Sequence, residues 1–185
     1  MALELARALA QTELDDGLHL ARVLLLMAAY SGKKTDKPVE GFTKLAKLDF
    51  LLRYPNCLER ALQAAHQSVE PAHIQDFERT TIESKMIRFR YGPWDHRYRR
   101  WVGLLVARGL AEVSVKGRTV LLRLTSKGQD ISAALADSEA LGELAERANL
   151  VVRSFGRKGG TQLKNFIYEV FPEITGMRWG EEIKL

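Results

Sequence analysis

The fold is indicated most clearly by residues 86–127, which read MIRFRYGPWDHRYRRWVGLLVARGLAEVSVKGRTVLLRLTSK. The apolar pattern of this segment predicts a strand at 86–91, a break at Gly92 and Pro93, a helix at 95–108 and a hairpin at 110–124. Thr125 and Ser126 then begin another helix. This order is that of the second half of a winged helix-turn-helix, in which the recognition helix leads directly into a β wing. We predict a mainly α (α+β) fold with a small β wing and accessory C-terminal helices.

Alternation within residues 110–124 predicts how the two hairpin strands pair. A two-residue loop at Lys116 and Gly117 gives a consistent set of facing pairs. The pairs are Ser114 with Thr119, Val113 with Val120, and Ala111 with Leu122. The four apolar members then share one face, opposite the face that carries Glu112, Ser114, Thr119 and Leu121. A purely structural hairpin is the alternative interpretation.

The predicted helix at 95–108 is amphipathic. Its apolar stripe consists of Trp94, Tyr98, Trp101, Val102 and Leu105, and it is expected to be core rather than a platform for stacking bases. Asp95 is predicted to cap the start of the helix, and Gly109 is predicted to stop it. Arg97, Arg100 and Arg108 lie toward another face.

Net charge is +5 over 185 residues, but basic residues are concentrated in one segment. Residues 79–127 hold 12 Lys and Arg against three acids, a balance of +9, whereas the remainder holds 16 basic and 20 acidic residues, a balance of −4. A concentrated positive charge is typical of a phosphate-binding surface. An acidic protein partner is the alternative, because it would meet the same charge.

Candidate DNA-binding residues sort by element. The first half of the helix, which is the part that approaches base edges in the major groove, carries Arg97, Arg99 and Arg100. The wing carries Lys116, Arg118 and Arg123, where contacts are expected to be to phosphates. Lys127 follows in the next helix, and Arg88 and Arg90 form a basic face on the preceding strand.

The rest of the chain is predicted to be helical. Residues 2–11 suggest a short helix or arm, 13–30 a central helix and 31–41 a loop. Thr43 is expected to cap a helix that buries Leu45, Leu48 and Leu52, another helix spans 56–67, and 68–84 is mostly loop. After the wing, a helix at 125–137 is expected to bury Ile131, Ala134 and Leu135. A further helix spans 138–152, and 153–160 is a glycine-rich break.

We divide the chain into a winged-helix domain with N-terminal helices (1–137) and a C-terminal helical extension (138–185). Thr161 is predicted to cap the last long helix. Its apolar stripe consists of Leu163, Phe166, Ile167, Val170 and Phe171. We expect this stripe to bind a partner, with folding back onto the body as the alternative.

The sequence predicts neither catalysis nor a cofactor. Its four histidines are scattered, and none has metal-ligand spacing with the lone Cys57, so no metal is expected. Asp95 and His96 are adjacent and point apart on a helix, and the glycines at 156–160 lack the order of a phosphate loop. The apolar run 18–30 is interrupted by His19 and Arg22 and is too short for a membrane span. With no signal-peptide pattern, we expect a cytoplasmic protein.

Two runs together suggest a family: KLDFLLRYP at 47–55 and YGPWDHRY at 91–98. With the wing after them, they resemble the middle component of bacterial three-component systems built around an SMC-like ABC ATPase. Lamassu-type anti-phage and anti-plasmid operons are the best-known kind. The resemblance covers roughly residues 45–135.

The resemblance implies a non-catalytic winged-helix adaptor that docks on the SMC-like ABC ATPase and helps it and an effector subunit, often a nuclease, to engage foreign DNA. ATP hydrolysis would then belong to the partner. Double-stranded DNA is the expected nucleic-acid ligand, a membrane is not expected, and a homodimer is possible. The alternative function is a homodimeric winged-helix transcription regulator, and a nuclease is a third.

Overall fold

A computed structural model describes residues 16–35, 37–79 and 85–185, with only the backbone given at 33–35; the predicted arm at 2–11 lies outside these ranges. The protein is mainly helical with small antiparallel sheets. The helices are α1 Asp16–Thr35, α2 Phe42–Arg53, α3 Pro55–Ala64, α4 Tyr98–Ala107, α5 Ser126–Ala136, α6 Gly142–Phe155, α7 Gly160–Val170 and α8 Glu173–Gly176. The strands are β1 Val39–Glu40, β2 Ile87–Phe89, β3 Gly92–Trp94, β4 Ala111–Lys116 and β5 Thr119–Leu124. Short 3₁₀ turns lie at Glu70–Ala72 and Asp76–Arg79.

Strands β1, β5 and β4 form one antiparallel sheet in that order. The predicted hairpin exists, but its register was wrong by two residues: Val113 faces Leu122, and Ala111 faces Leu124. The turn is at Gly117 and Arg118, with Gly117 at φ +61 in the first turn position, where glycine is favoured. A shift of two residues leaves every side chain on its predicted face, so alternation alone does not distinguish the two registers.

The β4–β5 hairpin is buried at its base and becomes exposed toward its turn. Ala111, Leu122 and Leu124 are buried at its base, whereas Val113 is 46% exposed and Val115 is 68% exposed. The outer half of the hairpin therefore projects into solvent.

The predicted break at Gly92 and Pro93 is instead part of a second hairpin. Gly92, at φ +114, begins β3, which pairs with β2 so that Ile87 faces Trp94. Trp94 therefore lies on a strand, and α4 begins only at Tyr98. Arg97 rather than Asp95 occupies the helix-capping position, but the Asp95 carboxylate accepts the Arg97 backbone N–H at 2.9 Å just before the helix.

Helix α4 buries the stripe that its sequence predicts. Tyr98, Trp101, Val102 and Leu105 are all buried, which confirms their assignment to the core. Gly109 follows the helix at φ +69, the left-handed conformation typical of a helix stop.

A single hydrophobic core extends across residue 137. Helix α6 packs on α1 and α2, and α7 packs on α2 and α3. Leu163, Ile167 and Phe171 are fully buried, and the Phe171 ring meets Phe50 edge-on at 5.5 Å. Val170 is 9% exposed, and Phe166 is partly buried against the same core.

The predicted partner-binding stripe, Leu163, Phe166, Ile167, Val170 and Phe171, is therefore corrected. It folds back onto the body, which was the alternative, because α2 and α3 supply the apolar surface that the stripe needs.

Several element ends also differ from the prediction. Helix α1 runs to Thr35 through an irregular Gly32, and β1 occupies part of the predicted loop. Gly41 rather than Thr43 occupies the cap position of α2, and Gly159 rather than Thr161 that of α7. Helix α6 extends to Phe155, into the predicted glycine-rich break.

Helix α5 packs only partly through the face predicted: of the three residues expected in the core, Leu135 is partly buried against it. Gly128 and Ser132 are buried, whereas Ile131 is 41% exposed and Ala134 is exposed. The reason is a close backbone approach: a Cβ at Gly128 would lie 1.9 Å from the carbonyl oxygen of Leu110. The Thr125 hydroxyl accepts the Gly128 N–H at 3.0 Å, which confirms the predicted start of this helix.

We predict that Gly128→Ala lowers the free energy of unfolding by about 1–3 kcal/mol, because the new methyl group collides with backbone at Leu110. Gly103→Ala is the matched control, since nothing lies within 4 Å of its Cβ position on α4. It should stabilise the protein by about 0.5–1 kcal/mol through helix propensity. Urea unfolding of the three proteins measures both effects, and equal stability of the two variants would contradict the packing described.

Candidate nucleic-acid interface

The nine basic residues predicted to contact DNA fall into two groups in the structure. Those whose side chains are held by other parts of the chain are Arg88, Arg97, Arg100, Arg123 and Lys127. Those that are exposed and form no ion pair with any residue the structure describes are Arg90, Arg99, Lys116 and Arg118.

Arg88 fastens the C-terminal segment. Its Nε donates to the Ile174 carbonyl at 3.0 Å, and its guanidinium lies 5.4 Å from the centre of the Tyr168 ring. Its backbone N–H donates to Glu181, and its carbonyl accepts the Gly180 N–H at 2.7 Å. The interactions of this side chain are therefore internal.

Arg97 and Arg100 are also engaged. Arg97 donates to both carboxylate oxygens of Asp95, at 3.0 and 2.8 Å, and packs over the Trp101 ring. Arg100 pairs with Asp16 at the start of α1. Both residues thus help to attach α4 to its surroundings.

Lys127 and Arg123 flank the hairpin. Lys127 donates to the Arg108 carbonyl at 3.1 Å. Arg123 is half-buried on β5, directly opposite Glu112 on β4. Both cations are therefore less available than those at the hairpin turn.

Arg99 and Arg118 come from different elements and line the same groove, whose volume is about 400 Å³. Arg99 lies one residue into α4, and Arg118 lies in the turn between β4 and β5. The groove is lined by these arginines together with Gly41, Phe42, Thr43, Phe89, Tyr91, Gly92, Pro93, Trp94, Thr119 and Val120. No Asp or Glu of the described part of the chain lines it, so its charge is positive.

A buried ionic network holds α4 in place. The Asp49 carboxylate on α2 is fully buried and accepts from Nε of Arg22 and Nε of Arg53, each at 2.8 Å. The Tyr98 hydroxyl donates to the same carboxylate at 2.5 Å. Arg53 also donates to Asp95 at 2.8 Å. The network therefore ties α1, α2 and the start of α4 together.

The electrostatics of the network keep its carboxylates ionised. Burial by itself would raise the pKa of Asp49, but Arg22, Arg53 and the hydrogen bond from Tyr98 hold it below its usual value. Burial likewise opposes the ionised form of Asp95, and the arginines at 53 and 97 lower its pKa in the same way.

Lys47 lies next to Gly92 and Thr43, two residues that line the groove. It is 1% exposed, and its ammonium group donates to the Thr43 carbonyl at 3.1 Å. Burial, together with the positive charge of Lys164, lowers the pKa of Lys47 to about 7. A buried lysine without a carboxylate partner therefore loses its proton near neutral pH.

Neither the network nor the aromatic wall of the groove was predicted from the sequence. Arg22 was recognisable as a charge inside the apolar run 18–30, a position where only a paired charge is tolerated. Phe89 and Tyr91 alternate with the arginines at 88 and 90, and this alternation signals a strand with an aromatic face.

Other chemical sites are sparse in the part of the chain that the structure describes. It contains no group of three or more His, Cys, Asp or Glu residues placed to hold a metal ion. Cys57 is buried, and burial raises the pKa of its thiol to about 12. None of the helices described has the length and apolarity needed to cross a membrane.

The chain matches no protein-family model, and comparisons with curated proteins and with solved structures give no significant match.

We predict that Asp49→Asn lowers the free energy of unfolding by about 3–5 kcal/mol, because Arg22 and Arg53 lose the charge that compensates them in the interior. Glu173→Gln is the control, since its pair with Arg60 is half exposed and worth about 1 kcal/mol or less. Urea unfolding separates the two. A loss at Asp49 no larger than that at Glu173 would show that the network does not stabilise the fold.

Stability should also depend on pH through Lys47. Its pKa is about 7 when folded and about 10.4 when unfolded, so between these values the unfolded chain binds a proton that the folded chain lacks. The free energy of unfolding should therefore rise with pH, by about 1 kcal/mol between pH 7.5 and 8.5. Lys47→Met should remove this rise. Urea unfolding at the two pH values measures it, and identical slopes in the two proteins would contradict the assignment.

Proposed function

We propose that this chain is a winged-helix adaptor subunit of an SMC-like ABC ATPase complex, and that it helps the ATPase and its effector engage foreign DNA. One observation carries the proposal: a hairpin with exposed cations at its turn projects beside an unpaired arginine of the preceding helix. The proposal assigns DNA contact to this chain and catalysis to its partners.

The connectivity supports a winged-helix assignment. Strand β1 follows α1 and pairs with β5, so that the sheet order is β1-β5-β4. Helix α4 leads into β4 after one short connection, as a recognition helix leads into a wing. Helix α3, the 3₁₀ turns and the β2–β3 hairpin lie between α2 and α4 as an insertion.

The distribution of free cations supports contact with DNA. Arg99 lies in the first turn of α4, the end of a recognition helix that approaches base edges. Lys116 and Arg118 lie at the tip of the hairpin, where phosphate contacts fix position. Because these side chains have no ion pair with a described residue, binding phosphate breaks no ion pair within the described part of the chain.

The role as an adaptor rests on the resemblance of residues 47–55 and 91–98 to the middle components. These two runs are far apart in sequence, yet Arg53 and Asp95 join them through a buried ion pair at 2.8 Å. A shared internal constraint gives a physical reason for the two runs to occur together. This supports the resemblance, from which the ATPase, the effector and the defence role are inferred.

We predict that Arg99→Glu combined with Arg118→Glu weakens binding to duplex DNA at least tenfold and reduces the slope of log Kd against log salt by about 2. The control is Arg153→Glu combined with Arg157→Glu, which changes net charge equally at exposed residues that do not line the groove. Fluorescence anisotropy over a range of salt concentrations measures both slopes. Equal losses of DNA affinity in the two double variants would show only a general effect of net charge and no specific contact by Arg99 and Arg118.

Copurification tests the adaptor role. Expressed with the other products of its operon, the tagged chain should retain a large coiled-coil ATPase in fixed stoichiometry. A dimer that retains no ATPase and protects one short operator would instead establish the alternative of a transcription regulator.

A further inference from the structure

The groove between α4, the hairpin turn and the β2–β3 hairpin has three chemically different walls. Phe89, Tyr91 and Trp94 form an aromatic wall. Arg99 and Arg118 supply positive charge from two other elements. Gly41 and Thr43, at the start of α2, also line the groove. Its volume of about 400 Å³ lies within the range of sites that hold small ligands.

The aromatic wall is unusually exposed for rings of this size. Tyr91 is 50% exposed and Phe89 is 39% exposed. The Phe89 and Trp94 rings are stacked, with centroids 6.1 Å apart and planes inclined by 27°. The Arg90 guanidinium lies 5.3 Å from the centre of the Tyr91 ring. Flat rings backed by other flat groups and open to a groove are suited to stacking with a planar ligand.

The two arginines of the groove favour a ligand with negative charge. Two guanidinium groups line the groove without an ion pair to any residue described, and no carboxylate of the described chain lines it. Thr43 and Thr119 also line the groove, and their hydroxyls are further hydrogen-bonding groups. A nucleotide has a planar base at one end and an anionic phosphate at the other, so its base suits the aromatic rings and its phosphate suits the arginines.

We propose that this groove binds one unpaired nucleotide of a DNA strand. The inference deepens the proposed engagement of DNA and rests on it. A base inside a duplex is already stacked on both faces, and extracting it costs a few kcal/mol. A base at a frayed end, a gap or an overhang is available without that cost. The protein therefore recognises the point where duplex DNA continues into a single strand. Arg99 and Arg118 contact phosphate at that junction, and the aromatic wall contacts the first unpaired base.

The test compares two DNAs with the full-length chain by fluorescence anisotropy. One is a blunt 20-base-pair duplex, and the other is the same duplex with a short overhang on each strand. The overhang should tighten binding by about 5-fold or more, which is the gain expected from one stacked base. Tyr91→Ala and Phe89→Ala should each reduce that preference toward 1 while leaving affinity for the blunt duplex within twofold, and Tyr91→Trp should retain it.

Phe77→Ala is the matched control, because Phe77 is an exposed aromatic residue, 69% exposed, that lies outside the groove. It should keep the preference for overhangs. Thermal unfolding of each variant establishes that the exposed aromatics are removed without loss of fold.

Four results would overturn the inference. Equal binding of blunt and overhang DNA by the unaltered protein would leave the proposed function standing without a nucleotide site. A preference that survives Tyr91→Ala and Phe89→Ala would place recognition elsewhere. Competition experiments give the third result. If free deoxynucleoside monophosphate, or an acidic peptide such as polyglutamate, competes as well as an overhang strand at equal phosphate or carboxylate concentration, the ligand is not a DNA strand. Absence of binding to any DNA would overturn the proposed DNA engagement as well.

Discussion

The buried carboxylate of Asp49 is the constraint on which the rest of the fold depends. An ionised group in the interior is tolerated only when opposite charges and hydrogen bonds surround it, and here Arg22 of α1, Arg53 of α2 and Tyr98 of α4 do so. These donors come from three helices, so the helices must meet at one point and in one relative orientation. Apolar packing alone would allow more sliding between them.

Ion pairs with acids divide the arginines of the 97–100 region into two kinds. Arg97 and Arg100 turn toward acids on neighbouring segments and hold α4. Arg99 lies between them in sequence, yet it faces the groove that the hairpin turn also lines. A rigidly held helix with one free cation is suited to presenting that cation at a fixed distance from the cations of the β4–β5 turn, and this is the arrangement that the proposed DNA contact requires.

Sequence patterns predicted several features that depend on burial. They did not predict features that depend on which residues distant in sequence come into contact. The buried stripe of α4 and the faces of the β4–β5 hairpin followed from periodicity, but the register did not, because a shift by two residues preserves both faces. The stripe from Leu163 to Phe171 looks the same whether it covers its own core or a partner. Which arginines are free depended on acids distant in sequence, such as Asp16 for Arg100. The β2–β3 hairpin was not predicted, because glycine and proline, here Gly92 and Pro93, usually end a strand.

The proposed DNA engagement is tested most directly by hydrogen–deuterium exchange of the full chain with and without DNA that carries overhangs. Slower exchange in peptides that cover residues 87–101 and 111–123, with no change across 142–176, is the predicted result. These ranges contain the groove, the start of α4 and the projecting hairpin. Slower exchange confined to residues 142–176 while DNA is bound would contradict the account, because the DNA would then contact α6, α7 and α8 rather than the groove and the hairpin.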